Sequence, residues 1–161
     1  MASSVVGERV SAAIDGDFVV FIIGMRINKW WKPSSFLQPL TAMRPMLMEL
    51  KAAGPESGLL HFERPGRFTF IQYWRSFEHL EAYARNPDQK HWPAWVEFNR
   101  RFKGRRDDVG IWHETYLVKA GQYEAIYSGV PPSGLAVAGR HASVVEASDS
   151  ARKRLGSRTA A

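Results

Sequence analysis

The run FVVFIIGMRI, residues 18–27, decides the fold. Its β-branched and aromatic composition predicts a strand, yet its apolar residues do not alternate. Phe18, Val20 and Ile22 hold one parity, and Val19, Phe21 and Ile23 hold the other. Successive side chains in a strand point to opposite faces of the sheet, so both faces need apolar cover here. Downstream, Ser34 or Ser35 is placed to cap a helix with Phe36, Leu40, Met43, Leu47 and Leu50 at helical spacing. Pro39 and Pro45 are expected to bend or split that helix, and Gly54 to end it. Residues 58–63 and 67–74 read as two strands around a Pro65-Gly66 turn. Ser76 caps a helix with Phe77, Leu80, Tyr83 and Ala84 turned inward. Asn86-Pro87-Asp88-Gln89 restarts it, with an Asn cap and Pro at the first position. That helix reaches about Lys103, with His91, Trp95, Phe98 and Phe102 on one face and a kink at Pro93. Residues 109–118, VGIWHETYLV, form the fourth strand. The order is β-α-β-β-α-β, the ferredoxin-like arrangement of an α+β domain. One pair of helices covers one face only, and a second copy of the chain is the economical cover for the other. A homodimer is therefore expected.

Composition narrows the function. The 161 residues fit one domain. Residues 1–15 read as a flexible N-terminus, 16–140 as the folded unit with an extended C-terminal arm, and 141–161 as a disordered tail. The absence of cysteine excludes disulfides, thiolate metal sites and cysteine nucleophiles. The longest apolar run, Phe18 to Ile23, is far too short to span a bilayer. The N-terminus lacks a basic segment followed by an apolar one, so a cytoplasmic protein with no membrane partner is expected. Arg100, Arg101, Lys103, Arg105 and Arg106 cluster at a predicted helix C-terminus, where cations answer the helix dipole. No nucleic-acid motif accompanies them, so no nucleic-acid partner is expected. Six tryptophans and 12% aromatic residues favour a large apolar pocket or interface.

The stretch YWRSFEHLEAYARNPDQKHWPAW, residues 73–95, joins a strand ending in Trp-x-Ser to two helices. It resembles the dimeric α+β barrel superfamily, which includes the antibiotic-biosynthesis monooxygenases. With GIWHETY (110–116) and the arm YEAIYSGVPPSGLA (123–136), residues 18–139 are similar to the small, mostly bacterial family related to the fumagillin-pathway polyketide monooxygenase. The resemblance implies a dimeric barrel with its active site between the sheet and the chain's own helices. Cofactor-free relatives use the motif tryptophan, matching Trp74, with an asparagine four residues earlier, where this chain has Phe70. Haem-degrading relatives use a tryptophan nine residues after the motif, here Tyr83, and a histidine in the next helix, near His91.

Parity places Phe68, Phe70, Gln72 and Trp74 on one face of the third strand. If Trp74 faces the pocket as the resemblance implies, Gln72 does too, a lone amide needing either a neighbouring side chain or a ligand. Arg26 and Asn28 share a face near the end of the first strand, where an arginine binds an enolate or forms an interface ion pair. His91 lies on the stripe of Trp95 and Phe98. Among aromatics its imidazole would be neutral and able to take a proton, or it packs the helix. His113 shares parity with Val109, Ile111 and Leu117 and serves a cross-strand hydrogen bond or the pocket. The candidate catalytic set is thus His91, Gln72, Trp74, Arg26 and Asn28, and the substrate-binding set is Phe68, Phe70, Tyr83, Trp95, Phe98 and His113. No histidine pairing of zinc type occurs, so no metal is expected. The expected activity is monooxygenase-like chemistry on an apolar aromatic or polyketide-like small molecule, without flavin. A haem enzyme and a non-catalytic dimeric binder of an apolar ligand stand as alternatives.

Overall fold

In the computed structural model of the chain, the described residues are 7–86, 100, 107–131, 133–145 and 149–159. The restarted helix lies outside them, with His91, Trp95 and Phe98. The elements in order are β1 (Val10–Ala13), β2 (Phe18–Ile27), α1 (Pro33–Ala52), a 3-10 turn (Gly54–Ser57), β3 (Leu59–Gly66), β4 (Thr69–Trp74), α2 (Phe77–Arg85), β5 (Val109–Val118), α3 (Leu135–Ala138), β6 (Arg140–Ser143) and α4 (Ala151–Thr159). The main sheet has the order β3-β4-β2-β5, every pairing antiparallel. The chain is α+β, and this order is compatible with the ferredoxin-like arrangement.

The register assigns the faces. Phe21 sits opposite Gln72 on one side and Thr115 on the other, and Ile23 lies between Phe70 and His113. Odd-numbered residues of β2 therefore share a face with Gln72 and Trp74, and α1 and α2 cover it. Val19, Leu47, Leu50, Phe70, Trp74 and Leu80 form the core there. The Ser76 hydroxyl accepts from the His79 backbone N–H at 3.4 Å and starts α2 as its spacing predicts.

α1 departs from expectation. It begins at Pro33 with no side-chain cap and runs unbroken to Ala52 through both Pro39 and Pro45. Proline is pre-shaped for a first helical position, which explains the start. Neither Ser34 nor Ser35 caps it; the buried Ser35 hydroxyl instead bonds the Asp108 carboxylate at 3.3 Å. Lys29 and Lys32 also reach that carboxylate, at 2.9 and 3.2 Å, and the Asp108 carbonyl accepts from the Asn28 and Lys29 N–H groups. The hydrogen bond from Lys29, then that from Lys32, holds the Asp108 carboxyl down to about 2, against the desolvation that opposes it. This clamp ties the start of β5 to the start of α1. The hairpin turn is also displaced. Gly66 pairs with Thr69, so the chain reverses at Arg67 and Phe68, and Pro65 sits inside β3. β3 is an edge strand with an irregular register there, where a missing N–H costs least.

The even-numbered face of β2 is covered at its Phe18 and Val20 end by the chain's own ends. Residues 1–15 and 141–161 were expected to be flexible or disordered, yet β1 pairs with β6 from Val10–Ser143 to Ala13–Arg140. Ala12, Ile14, Phe18, Leu135 and Ala136 form a second core, with Val20, Tyr73, Val118 and Tyr123 packed on it. The arm accounts for the difference. The Tyr123 hydroxyl accepts from the Ile14 N–H at 2.7 Å and donates to its carbonyl at 3.1 Å. Tyr127 exchanges backbone hydrogen bonds with Val10 at 3.0 and 2.7 Å, and Glu63 accepts from the Gly134 N–H. Gly134 has φ 54°, and a Cβ there would meet the Tyr73 hydroxyl at 3.0 Å, so glycine serves both needs. The buried Arg154 of α4 pairs with Glu124, fastening the tail as well.

Candidate functional site

Between the odd-numbered sheet face and the two helices lies a cavity of about 440 Å3. That is inside the ~300–1,000 Å3 usual for small-molecule sites. Its floor is Phe21, Ile23, Gln72, Ile111, His113 and Thr115 from three adjacent strands. Pro39, Ala42 and Met46 of α1 and Phe77, Leu80, Tyr83 and Ala84 of α2 form the walls. Apolar area dominates, and the polar groups on the floor are few: an amide, an imidazole and a hydroxyl.

Gln72 is the most constrained of them. It is 3% exposed, and its side-chain oxygen accepts from the Trp74 indole N–H at 3.0 Å. An indole N–H only donates, so the atom facing it must be Oε1. The amide orientation follows, with Nε2 turned away from Trp74 on the cavity floor. Among the described residues Nε2 has no hydrogen-bond acceptor, an expensive omission for a buried donor. Trp74 itself is 0% exposed and does not line the cavity. It acts at one remove, orienting Gln72.

His113 and Thr115 follow one another on the same face of β5, and the His113 ring lies 5.5 Å from that of Phe21. Gln72 and Thr115 flank Phe21, so their backbones stand about 10 Å apart, two strand spacings. A planar ligand lying on Phe21 would meet the amide at one edge and the imidazole and hydroxyl at the other. Tyr83 closes the wall with its ring 5.7 Å from that of Trp74, and burial pushes its hydroxyl well above the ordinary tyrosine range. At the rim Glu81 and Arg85 pair at 2.8 Å, a solvent-exposed contact worth little to stability.

The expected site residues divide. Gln72, Tyr83 and His113 meet at the cavity. Phe68 and Phe70 line a smaller cleft of about 50 Å3 that shares Ile23, Pro39 and Ile111 with the cavity. Arg26 and Asn28 are not brought there: both are exposed, and Arg26 has even parity on β2, the face opposite Gln72. Their nearness in sequence to the strand end does not override the register. His91, Trp95 and Phe98 lie outside the described residues. Sequence reasoning missed Phe21, Ile23, Met46 and Thr115 as cavity residues. For Phe21 and Thr115 the signal is parity shared with Gln72, usable only once the strand pairing is known. Among the described residues no cluster of His, Asp and Glu is arranged to hold a metal ion. No described helix is long and apolar enough to cross a membrane.

Comparison with known proteins shows the family. A family model described as "Monooxygenase af470-like" matches residues 18–135. Monooxygenase af470 of Aspergillus fumigatus is 27% identical over 136 residues, which cover 73% of this chain and 44% of that protein. The chain thus spans less than half the length of this relative. A crystal structure of a conserved protein of unknown function from Bacteroides thetaiotaomicron, described as a possible oxidoreductase, is similar at 13% identity and a TM-score of 0.32, covering 65% of this chain and 99% of that one. A likeness so loose carries no argument.

Proposed function

Because the chain belongs to the monooxygenase af470-like family, we propose that it is a cytoplasmic monooxygenase-like oxidoreductase that acts, without flavin, on an apolar aromatic or polyketide-like small molecule. The observation that carries this reading is the buried Gln72 amide, fixed by Trp74 with its NH2 group lacking an acceptor among the described residues. A ligand carbonyl supplies that acceptor, and the surrounding apolar walls select the rest of the molecule. His113 stands across Phe21 as proton acceptor for the carbon beside that carbonyl, with His91 as the second candidate. As the proton leaves, negative charge moves to the oxygen at Gln72, whose hydrogen bond strengthens where charge develops. The carbanion then gives its electrons to dioxygen. A C–O bond forms, and loss of water from the resulting hydroperoxide turns CH2 into C=O. The substrate supplies all the electrons, so no external reductant is needed.

The reading takes the chain as a homodimer. Beyond the cover provided by the chain's own ends, Trp112 and Tyr116 remain 43% and 49% exposed on the even-numbered face. A second sheet would bury them. Haem is the second cofactor reading, and the observation favouring it is the His113 imidazole at the cavity floor, which would hold the haem iron. A Soret band on haem titration, lost in His113→Ala, would support it.

Oxygen uptake with anthrone- and quinol-type substrates tests the main reading. Gln72→Leu should lower kcat/KM by roughly 100-fold, and Trp74→Phe, which keeps an aromatic ring but frees the amide, should lower it less. Absence of uptake across the panel overturns the oxygenase. Ligand affinity that persists without turnover would identify a binder instead.

A further inference from the structure

Residues 28–37, NKWWKPSSFL, link β2 to the first turn of α1 and carry an apolar group that the cavity does not use. Trp30 is 57% exposed, Leu37 52% and Trp31 73%, the highest of any large apolar side chain among the described residues. Trp30 is not floating. The Trp30 ring lies 5.7 Å from that of Phe36 and 5.8 Å from that of Phe68, and the Asp108 clamp holds the lysines on either side. Indole rings are thus presented to water by a rigid corner.

The charges around them have one dominant sign. Lys29 and Lys32 share the single Asp108 carboxylate. Arg67 stacks its guanidinium 5.7 Å from the Phe68 ring, and Arg64 bonds the Gly66 and Arg67 carbonyls beside it. Against these four cations, among the described residues, stand Asp107 and Asp108. Tryptophan has an apolar body and a polar N–H, and lysine and arginine have apolar stems under charged heads. Both are suited to the boundary between hydrocarbon and water, where aromatic and cationic residues collect. A protein interface is the poorer match, because its core is depleted in lysine. The chain's net charge of +6 adds long-range attraction to an anionic surface.

We propose that this corner docks the protein on the surface of an anionic phospholipid bilayer, with Trp30, Trp31 and Leu37 at the headgroup boundary. The contact is peripheral and needs no helix that crosses the bilayer. The corner also adjoins the ligand site. Trp30 touches Phe68, and the cleft that Phe68 lines shares Ile23, Pro39 and Ile111 with the main cavity. Entry of an apolar ligand from lipid rests on the reading of that cavity; docking does not.

Co-sedimentation of the full chain with vesicles tests it, using phosphatidylcholine alone or mixed equally with phosphatidylglycerol. The protein should pellet with the mixed vesicles, less with the neutral ones, and less again as salt is raised. Trp31→Ser should lower the partition coefficient roughly tenfold, and Leu37→Ser should lower it by a smaller factor. Val145→Ser, removing a 59% exposed side chain from the tail, should leave it unchanged. A parent protein that stays in the supernatant with anionic vesicles overturns the proposal. So does a folded Trp31→Ser that partitions like the parent. A lipid-free change of sedimentation coefficient in Trp31→Ser also overturns it, because the patch would then lie between copies of the chain. Should Trp31→Ser misfold by circular dichroism, Leu37→Ser decides by the same criteria. No substrate enters the assay, so this result and the oxygen-uptake result fail independently.

Discussion

The two faces of the four-stranded sheet differ in how they are covered. The odd-numbered face lies under α1 and α2 across β2 and β4 and keeps a cavity, with Gln72, His113 and Thr115 on its floor, while Leu117 of β5 stays exposed. The even-numbered face lies under β1, α3 and the arm at the end marked by Phe18, Val20, Tyr73 and Val118. Farther along it, Trp112 and Tyr116 remain open. Two-sided apolar strands demand cover on both sides, yet that demand does not name the cover. Here the chain's own termini supply much of what a partner copy was expected to supply.

Replacing Trp74 strikes the helix-covered face hardest. Trp74→Ala should cost about 3–5 kcal/mol in urea unfolding, because a fully enclosed ring leaves a cavity that the sheet cannot close. A loss under 1 kcal/mol would mean that α2 collapses onto the sheet. Asp108→Asn tests the clamp between β5 and α1 and should be seen as a changed acid limb. The Asp108 carboxyl is depressed in the folded chain to about 2, from an unfolded value of ~3.9. Its contribution is therefore complete above the unfolded value and is lost as pH falls toward 2. The variant should be less stable than the parent at pH 7 and should lose less stability between pH 5 and 2. Parallel curves for the two proteins would remove the clamp from the account.

On the other face the effects are smaller. Tyr123→Phe deletes a hydroxyl bonded to both the N–H and the carbonyl of Ile14, and should cost about 1–2 kcal/mol. Faster hydrogen exchange in β1 and β6, with α1 unaffected, would confirm that the termini form a separate cover. Gly24→Ala is the mildest. Its Cβ would meet the Trp112 indole at 2.4 Å, but Trp112 is half open and has room to swing outward. Stability should fall by less than ~1 kcal/mol. If the open strip joins two copies, sedimentation should nevertheless show weaker dimerisation. An unchanged dimer would move the interface elsewhere.

Local pattern alone determined a good deal. β2 and β5 occupy 18–27 and 109–118, the runs their β-branched and aromatic residues mark, and Ser76 caps α2 where its spacing places it. Parity grouped Phe70, Gln72 and Trp74, because alternation belongs to a strand whatever lies beside it, whereas Phe68, grouped with them, falls in the turn. Other features required contacts distant in sequence. The hairpin turns at Arg67-Phe68 and not at Pro65-Gly66, since pairing of β4 with β2 outweighs the stronger local turn signal. α1 absorbs two prolines within a helix whose Leu47 and Leu50 are buried in the core, so packing outweighs propensity. Arg26 and Asn28 fall away from the cavity because register, not proximity to a strand end, decides the face. The direction of the Gln72 amide depends on an indole that can only donate. That direction, and the identity of the segments covering each face, are tertiary facts: an alternation rule says that a side chain is covered, and only the folded chain says by what.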